Sequence, residues 1–168
     1  MPDIQRAQLG RGNLPQGGKM NNKKLTSIDK MIPLIEERIK SGGNVSFTPM
    51  GVSMYPMLRH GVDRVVLSPA PNRLKKYDIP FYRRNNGRYV LHRVVKVGDS
   101  YTCIGDNEYK YEPGIEHSQV IAVVTAFTRK GKEYTTKNFG YKIYCRIWHY
   151  SRSARKILRA IKHRIIKT

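Results

Sequence analysis

A mostly β domain, with one helix ahead of it and one basic amphipathic helix behind it, is the architecture that this 168-residue sequence predicts. Three patterns carry that expectation. Between Val45 and Phe127, short runs rich in Val, Ile and Tyr alternate with Gly, Pro and Asn, as in a domain of many short strands. Ahead of them, Ile28, Met31, Ile32, Ile35 and Ile39 recur at the spacing of one helix face. Behind them, Ala154, Ile157, Leu158, Ile161 and Ile165 trace a second helical stripe, while Arg152, Arg155, Lys156, Arg159 and Lys162 fill the other faces.

The first helix is capped by Thr26 or Ser27 and stopped by Gly42-Gly43, with Pro33 predicting either a kink or a start nearer Ile32. The strands are expected at 44–48, 63–67, 78–83, 88–97, 100–104 and 119–128, with hairpins at Asn85-Asn86-Gly87 and Gly98-Asp99. On the 88–97 strand the two-residue period turns His92, Val94 and Lys96 to one face and Leu91, Arg93 and Val95 to the other. That reading puts His92 in mid-strand. Three segments result: a disordered basic 1–24, a domain over 25–128, and a 129–168 segment of polar connector (129–138), aromatics and basic helix. Met20 precedes the first organised segment, so the natural start is Met1 or Met20.

Charge is unevenly placed. Of the net +20, residues 129–168 supply 13 Lys/Arg against Glu133 alone, and residues 1–24 supply five against Asp3. A cationic tail argues for an anionic partner. The apolar stripe favours an anionic membrane surface, reached through residues 139–168, over nucleic acid, which has no apolar phase to offer. No run approaches the ~18 apolar residues of a membrane span, and no secretory h-region is visible. The expected location is cytoplasmic, peripheral at the inner membrane face. Cys103 and Cys145 are too few and too differently placed for a disulfide framework. His60, His117, His149 and His163 lack metal-ligand spacing and there is no glycine-rich phosphate loop, so neither metal nor cofactor is expected.

Three side-chain types needed for nucleophilic acyl transfer lie within one short stretch: Ser53 in Gly51-Val52-Ser53-Met54-Tyr55-Pro56, His92 in Val90-Leu91-His92-Arg93-Val94-Val95, and Asp106 in Gly105-Asp106-Asn107. A serine hydroxyl requires a base to remove its proton, and a carboxylate fixes the tautomer of that base. Lys96, Lys75 and Lys76 are alternative bases if burial lowers their pKa. Asp106 is equally a turn former.

Over residues 45–128 this set resembles the signal peptidase I and LexA-like serine peptidase superfamily. It is most similar to the branch that has histidine where bacterial leader peptidases have lysine. The resemblance implies Ser53 as nucleophile, His92 as general base and Asp106 as orienting acid. Glu108 and Glu112 are weaker candidates, standing where the endoplasmic-reticulum enzymes have a further acid. The backbone N–H groups of Ser53 and Met54 would bind the oxyanion, on an extended substrate with small residues before the cut. The chain departs from the pattern twice. Gly51 stands where many of these enzymes have a serine that helps form the oxyanion hole, and Tyr77 and Pro80 replace the glycine and valine of Gly-Asp-Ile-Val. The alternatives are a LexA-like self-cleaving regulator and a catalytically idle protein whose basic tail binds lipid or nucleic acid.

Overall fold

The computed structural model describes residues 27–165. The expectations for residues 1–24, and the choice between Met1 and Met20, lie outside that range. The first helix, α1 (Ser27–Lys40), runs through Pro33 instead of starting beside it. Proline removes one helical N–H and costs ~3 kcal/mol in a helix interior. Ile32, Ile35 and Ile39, all buried, each contribute about 1.5–3 kcal/mol, which together outweighs that cost. The Gly42 and Gly43 N–H groups donate to the carbonyls of Ile39 and Arg38 at 3.0 and 2.9 Å, and Gly42 holds a φ of +80°. This is a Schellman ending, and the left-handed residue within it explains the glycine.

Nine strands follow or flank one another, mostly as expected. A first antiparallel sheet has the order β1 (Val45–Phe47), β2 (Val65–Ser68), β8 (Val120–Arg129), β3 (Pro80–Arg83), β4 (Tyr89–Leu91), with β9 (Lys132–Thr135) also paired to β8. Pro80 opens its strand, where it removes no interior ladder bond, and β3 shifts register against β8 after Phe81. A second sheet has the order β5 (Arg93–Val97), β6 (Tyr101–Ile104), β7 (Glu112–Ile115). The architecture is mainly β, in curled antiparallel sheets.

Three sequence expectations are revised. The 88–97 strand is two strands, β4 in the first sheet and β5 in the second, and His92 is the residue between them. Residues 91–95 are all buried, so the two-faced alternation expected there does not hold. The connector at 129–138 contains β9, joined to β8 through Lys130 and Gly131, both at positive φ. Such a turn closes a tight hairpin, and the mostly polar Lys132–Thr135 strand gave no apolar alternation to read. Residues after 138 form two helices, α2 (Phe139–Tyr150) and α3 (Arg152–Ile165). Tyr141 and Cys145 of α2 are buried in the main core with Phe127 and Met57.

Two cores result. The main one joins α1, the first sheet and α2; a smaller one, around Leu74, Tyr82, Val94, Tyr101 and Cys103, lies at the second sheet. Both cysteines are buried free thiols, one in each core. Against the main core sits the Arg93 side chain, 1 % exposed. Its Nε and Nη2 meet the two Asp106 carboxylate oxygens at 2.8 Å each. Nη1 donates to the Tyr141 hydroxyl at 2.8 Å and to Cys145 Sγ at 3.0 Å, and Nη2 reaches Met57 Sδ at 3.0 Å. Burial works against the charged guanidinium, but Asp106 outweighs it and holds the Arg93 pKa well above its ordinary value.

Removing one partner of such a pair strands a buried charge, at about 3–5 kcal/mol. Asp106→Ala is therefore expected to lose that much stability in urea unfolding. A loss under about 1 kcal/mol, the range of an exposed ion pair, contradicts this role.

Candidate active site

The loop carrying Ser53 is built by glycine, proline and an ion pair. Gly51 holds a φ of +112°, a region side chains rarely adopt, and its N–H donates to His60 Nδ1 at 2.7 Å. Serine there would be strained, so the backbone itself disfavours a side-chain oxyanion donor at position 51. Turn bonds Tyr55 N–H to Val52 O (3.1 Å) and Leu58 N–H to Met54 O (2.9 Å) follow, and the Tyr55–Pro56 peptide is cis. Asp63, buried, closes the loop by accepting from Arg59 N–H at 2.8 Å, Nε at 2.9 Å and Nη2 at 2.6 Å, and from Arg129 Nη1 at 3.3 Å. The Arg59 guanidinium, against the opposing effect of burial, lowers the Asp63 pKa to about 2.

Ser53, half-buried, lines an apolar groove of about 310 Å³ together with Phe47, Met54, Leu58, Phe81 and Leu91 among others. Its carbonyl accepts the Asn107 N–H at 2.8 Å, and Asn107 Nδ2 donates to the Val52 carbonyl at 3.2 Å. The Ser53 loop is thereby seated on the Gly105–Glu108 turn. Gly105 has no room for a side chain: a Cβ there would stand 2.7 Å from the Ser53 carbonyl oxygen. Among the described residues, the Ser53 and Met54 N–H groups enter no hydrogen bond and remain free to donate.

His92 is 1 % exposed, at the junction of the two sheets, edge-on to the Tyr82 ring at 6.4 Å between centroids. Glu112 Oε1 lies 2.8 Å from Nδ1, off the line of an N–H bond, and Glu108 Oε2 lies 3.7 Å from Nε2. Burial lowers the His92 pKa more than the Glu108 and Glu112 carboxylates raise it, so the imidazole is neutral at pH 7. Glu112 is itself held: Tyr82 Oη donates to Oε2 at 2.9 Å, Arg84 Nε donates to the same oxygen at 2.8 Å, and Arg84 Nη2 reaches Oε1. Burial raises the Glu112 pKa, but Arg84, His92 and Tyr82 together hold it below its ordinary value, as a carboxylate.

The acid assignment therefore changes. Asp106 faces Arg93, and the carboxylates at His92 are Glu112 on Nδ1 and Glu108 on the Nε2 side. Both glutamates stand out in the sequence only as acids trailing Gly-Asp-Asn; Glu112 takes its place through β7, whose Glu-Pro-Gly-Ile has no strand alternation to read. Lys96, Lys75 and Lys76 are exposed, which removes the burial a lysine base requires. Ser53 Oγ makes no hydrogen bond to His92 among the described residues; the two are linked through the turn, since Glu108 packs against Gly105 and reaches toward His92. His92, Glu108 and Glu112 also bring potential metal-ligand atoms within 4.8 Å of one another. Arg84 and Tyr82 already occupy the Glu112 oxygens. No family model matches the chain, and no curated protein sequence is similar enough to count as a match.

Two outcomes follow from this geometry. Gly105→Ala forces the Ser53 carbonyl aside, costing about 1–3 kcal/mol of overpacking, with loss of any Ser53-dependent activity larger than that of Gly98→Ala, where the nearest backbone oxygen is 3.6 Å away. Unchanged activity and stability in Gly105→Ala would contradict the close approach. The second concerns acid. Because the folded Asp63 pKa lies below its ordinary 3.8, the stability it confers is present above that value and is lost as pH falls through about 2. Asp63→Asn should flatten that acid-side loss of stability, measured by urea unfolding at a series of pH values; an unaltered slope argues against it.

Proposed function

We propose that this protein is a serine endopeptidase of the signal peptidase-like type, cutting extended peptide segments by acyl transfer. One observation carries the reading above all: the Ser53 loop is hydrogen-bonded to the Gly105–Glu108 turn, and the Glu108 carboxylate of that turn lies 3.7 Å from Nε2 of the buried His92. In this reading Ser53 Oγ attacks the peptide carbonyl carbon and its proton passes to His92 Nε2. The resulting imidazolium is steadied by Glu112 on the Nδ1 side. The free Ser53 and Met54 N–H groups receive the developing oxyanion; one such donor is worth ~3 kcal/mol in the transition state. His92 then returns the proton to the leaving amine, and water releases the acyl group by the same route in reverse.

The groove supports an extended substrate. Strands β1 and β4 stand at the two ends of the first sheet, yet Ser46 and Phe47 of one and Tyr89, Val90 and Leu91 of the other line the same groove. The sheet curls until its two edges flank one opening, and a peptide strand can pair with an exposed edge. Tyr77 adds support to the resemblance. It holds a φ of +80°, a glycine-like conformation, at the position where the family motif carries glycine.

Ser53→Ala and His92→Ala are each expected to lower kcat by ~10³-fold or more on an extended peptide, with the double variant no worse than either. Additive losses, or an active Ser53→Ala, would sink the assignment. Because burial lowers the His92 pKa from its ordinary 6.5, the rising limb of kcat/KM against pH should lie below 6.5. A limb near 9 or above points instead to lysine.

A further inference from the structure

The third helix sits on the domain with its polarity reversed. At 100° per residue, Arg152, Arg155 and Arg159 share one side of α3, and Ile157, Leu158 and Ile161 share the opposite side. An amphipathic helix on a globular domain ordinarily turns the apolar side inward. Here the arginines face the protein. Arg152 Nη1 donates to the Glu108 carbonyl at 2.7 Å, the Arg155 guanidinium lies 3.4 Å over the Trp148 ring, and Arg159 Nη2 donates to Asn107 Oδ1 at 3.1 Å. The apolar side is left outward, with Ile157 61 %, Leu158 64 % and Ile161 48 % exposed.

We propose that this outward stripe docks on an anionic phospholipid surface. Charge selects the occupant. Residues 139–168 contain nine Lys/Arg and no Asp or Glu. A second copy meeting through the same face would set two acid-free cationic helices against each other, and like charges across an interface are strongly disfavoured. Nucleic acid attracts the cations but offers the stripe no apolar phase. An anionic bilayer surface satisfies both, taking the stripe into the acyl boundary while its headgroups meet the exposed Lys142, Arg146 and Lys156. Among the described residues no helix is long and apolar enough to cross a membrane, so the contact is interfacial. This inference does not rest on the catalytic reading. Within residues 139–168, α2 is part of the core through Tyr141 and Cys145, and the stripe belongs to α3.

The test uses the full chain with vesicles of phosphatidylglycerol and phosphatidylcholine, against phosphatidylcholine alone. Flotation is expected with the anionic vesicles, with a fraction retained at high salt. Ile157→Ser/Leu158→Ser/Ile161→Ser, at exposed positions that leave the fold intact by thermal unfolding, should weaken binding by about tenfold or more. A second measurement places an environment-sensitive dye on Leu158→Cys, the two native cysteines being buried. Its emission should shift to the blue on anionic vesicles and not with duplex DNA. Undiminished flotation of the triple variant, no flotation of the parent chain, or a dye shift with DNA alone would overturn the proposal.

Discussion

Everything around the candidate site depends on one buried guanidinium. Arg93 follows His92 directly and reaches four separate parts of the chain: Met57 beyond the Ser53 loop, the Tyr77 carbonyl at 3.3 Å, Asp106 in the turn, and Tyr141 with Cys145 in α2. A charge taken out of water at that depth is tolerable only with a full set of partners. The demand fixes the relative positions of the parts that supply them. Packing alone would hold these elements together with latitude; the planar two-bond contact with Asp106 removes much of it.

That constraint explains why the C-terminal helices belong to the site. The Asp106 carbonyl accepts the Trp148 indole N–H at 2.9 Å, and the Tyr144 hydroxyl meets the Asp106 carboxylate at 3.4 Å. Arg152 and Arg159 hold the carbonyl of Glu108 and the side chain of Asn107. The turn is thus gripped from one side by α2 and α3, and on its other side it seats Ser53 and presents Glu108 to His92. A segment whose composition suggests a free cationic tail is in physical terms the back wall of the turn. Arg152, Arg155 and Arg159 are spent on carbonyls, the Asn107 side chain and the Trp148 ring, and the apolar stripe is left for something else.

Much of this was legible in the sequence, for reasons that differ by element. The Ile32, Ile35 and Ile39 stripe and the Gly42-Gly43 stop are local signals, and the helix they describe is present, although Pro33 neither starts nor ends it. The main strands follow their β-branched runs. Two strands escaped because Glu112–Ile115 contains Pro and Gly and Lys132–Thr135 is mostly polar, so neither shows a two-residue apolar period. The break at His92 escaped because burial on both sides makes residues 91–95 read as one continuous strand. The partner of Asp106 was illegible for a deeper reason. Residue type and order identify an acid near a histidine, but which cation it faces is set by tertiary packing, and the neighbouring Arg93 has the stronger claim. Glu112 became the acid at His92 Nδ1 only through the β6–β7 pairing, a register that no local pattern encodes.

The account's central claim is that Glu112, and not Asp106, governs the His92 imidazole, while Asp106 belongs to Arg93. Titration of the His92 ring by NMR in the parent chain, in Glu112→Gln and in Asp106→Asn tests this directly. Glu112 raises the His92 pKa and Arg84 lowers it, so replacing Glu112 removes the opposing charge and should depress the already lowered pKa further. The folded Asp106→Asn protein should titrate close to the parent and differ from it in stability instead. A His92 pKa that moves in Asp106→Asn and stays put in Glu112→Gln would contradict the account.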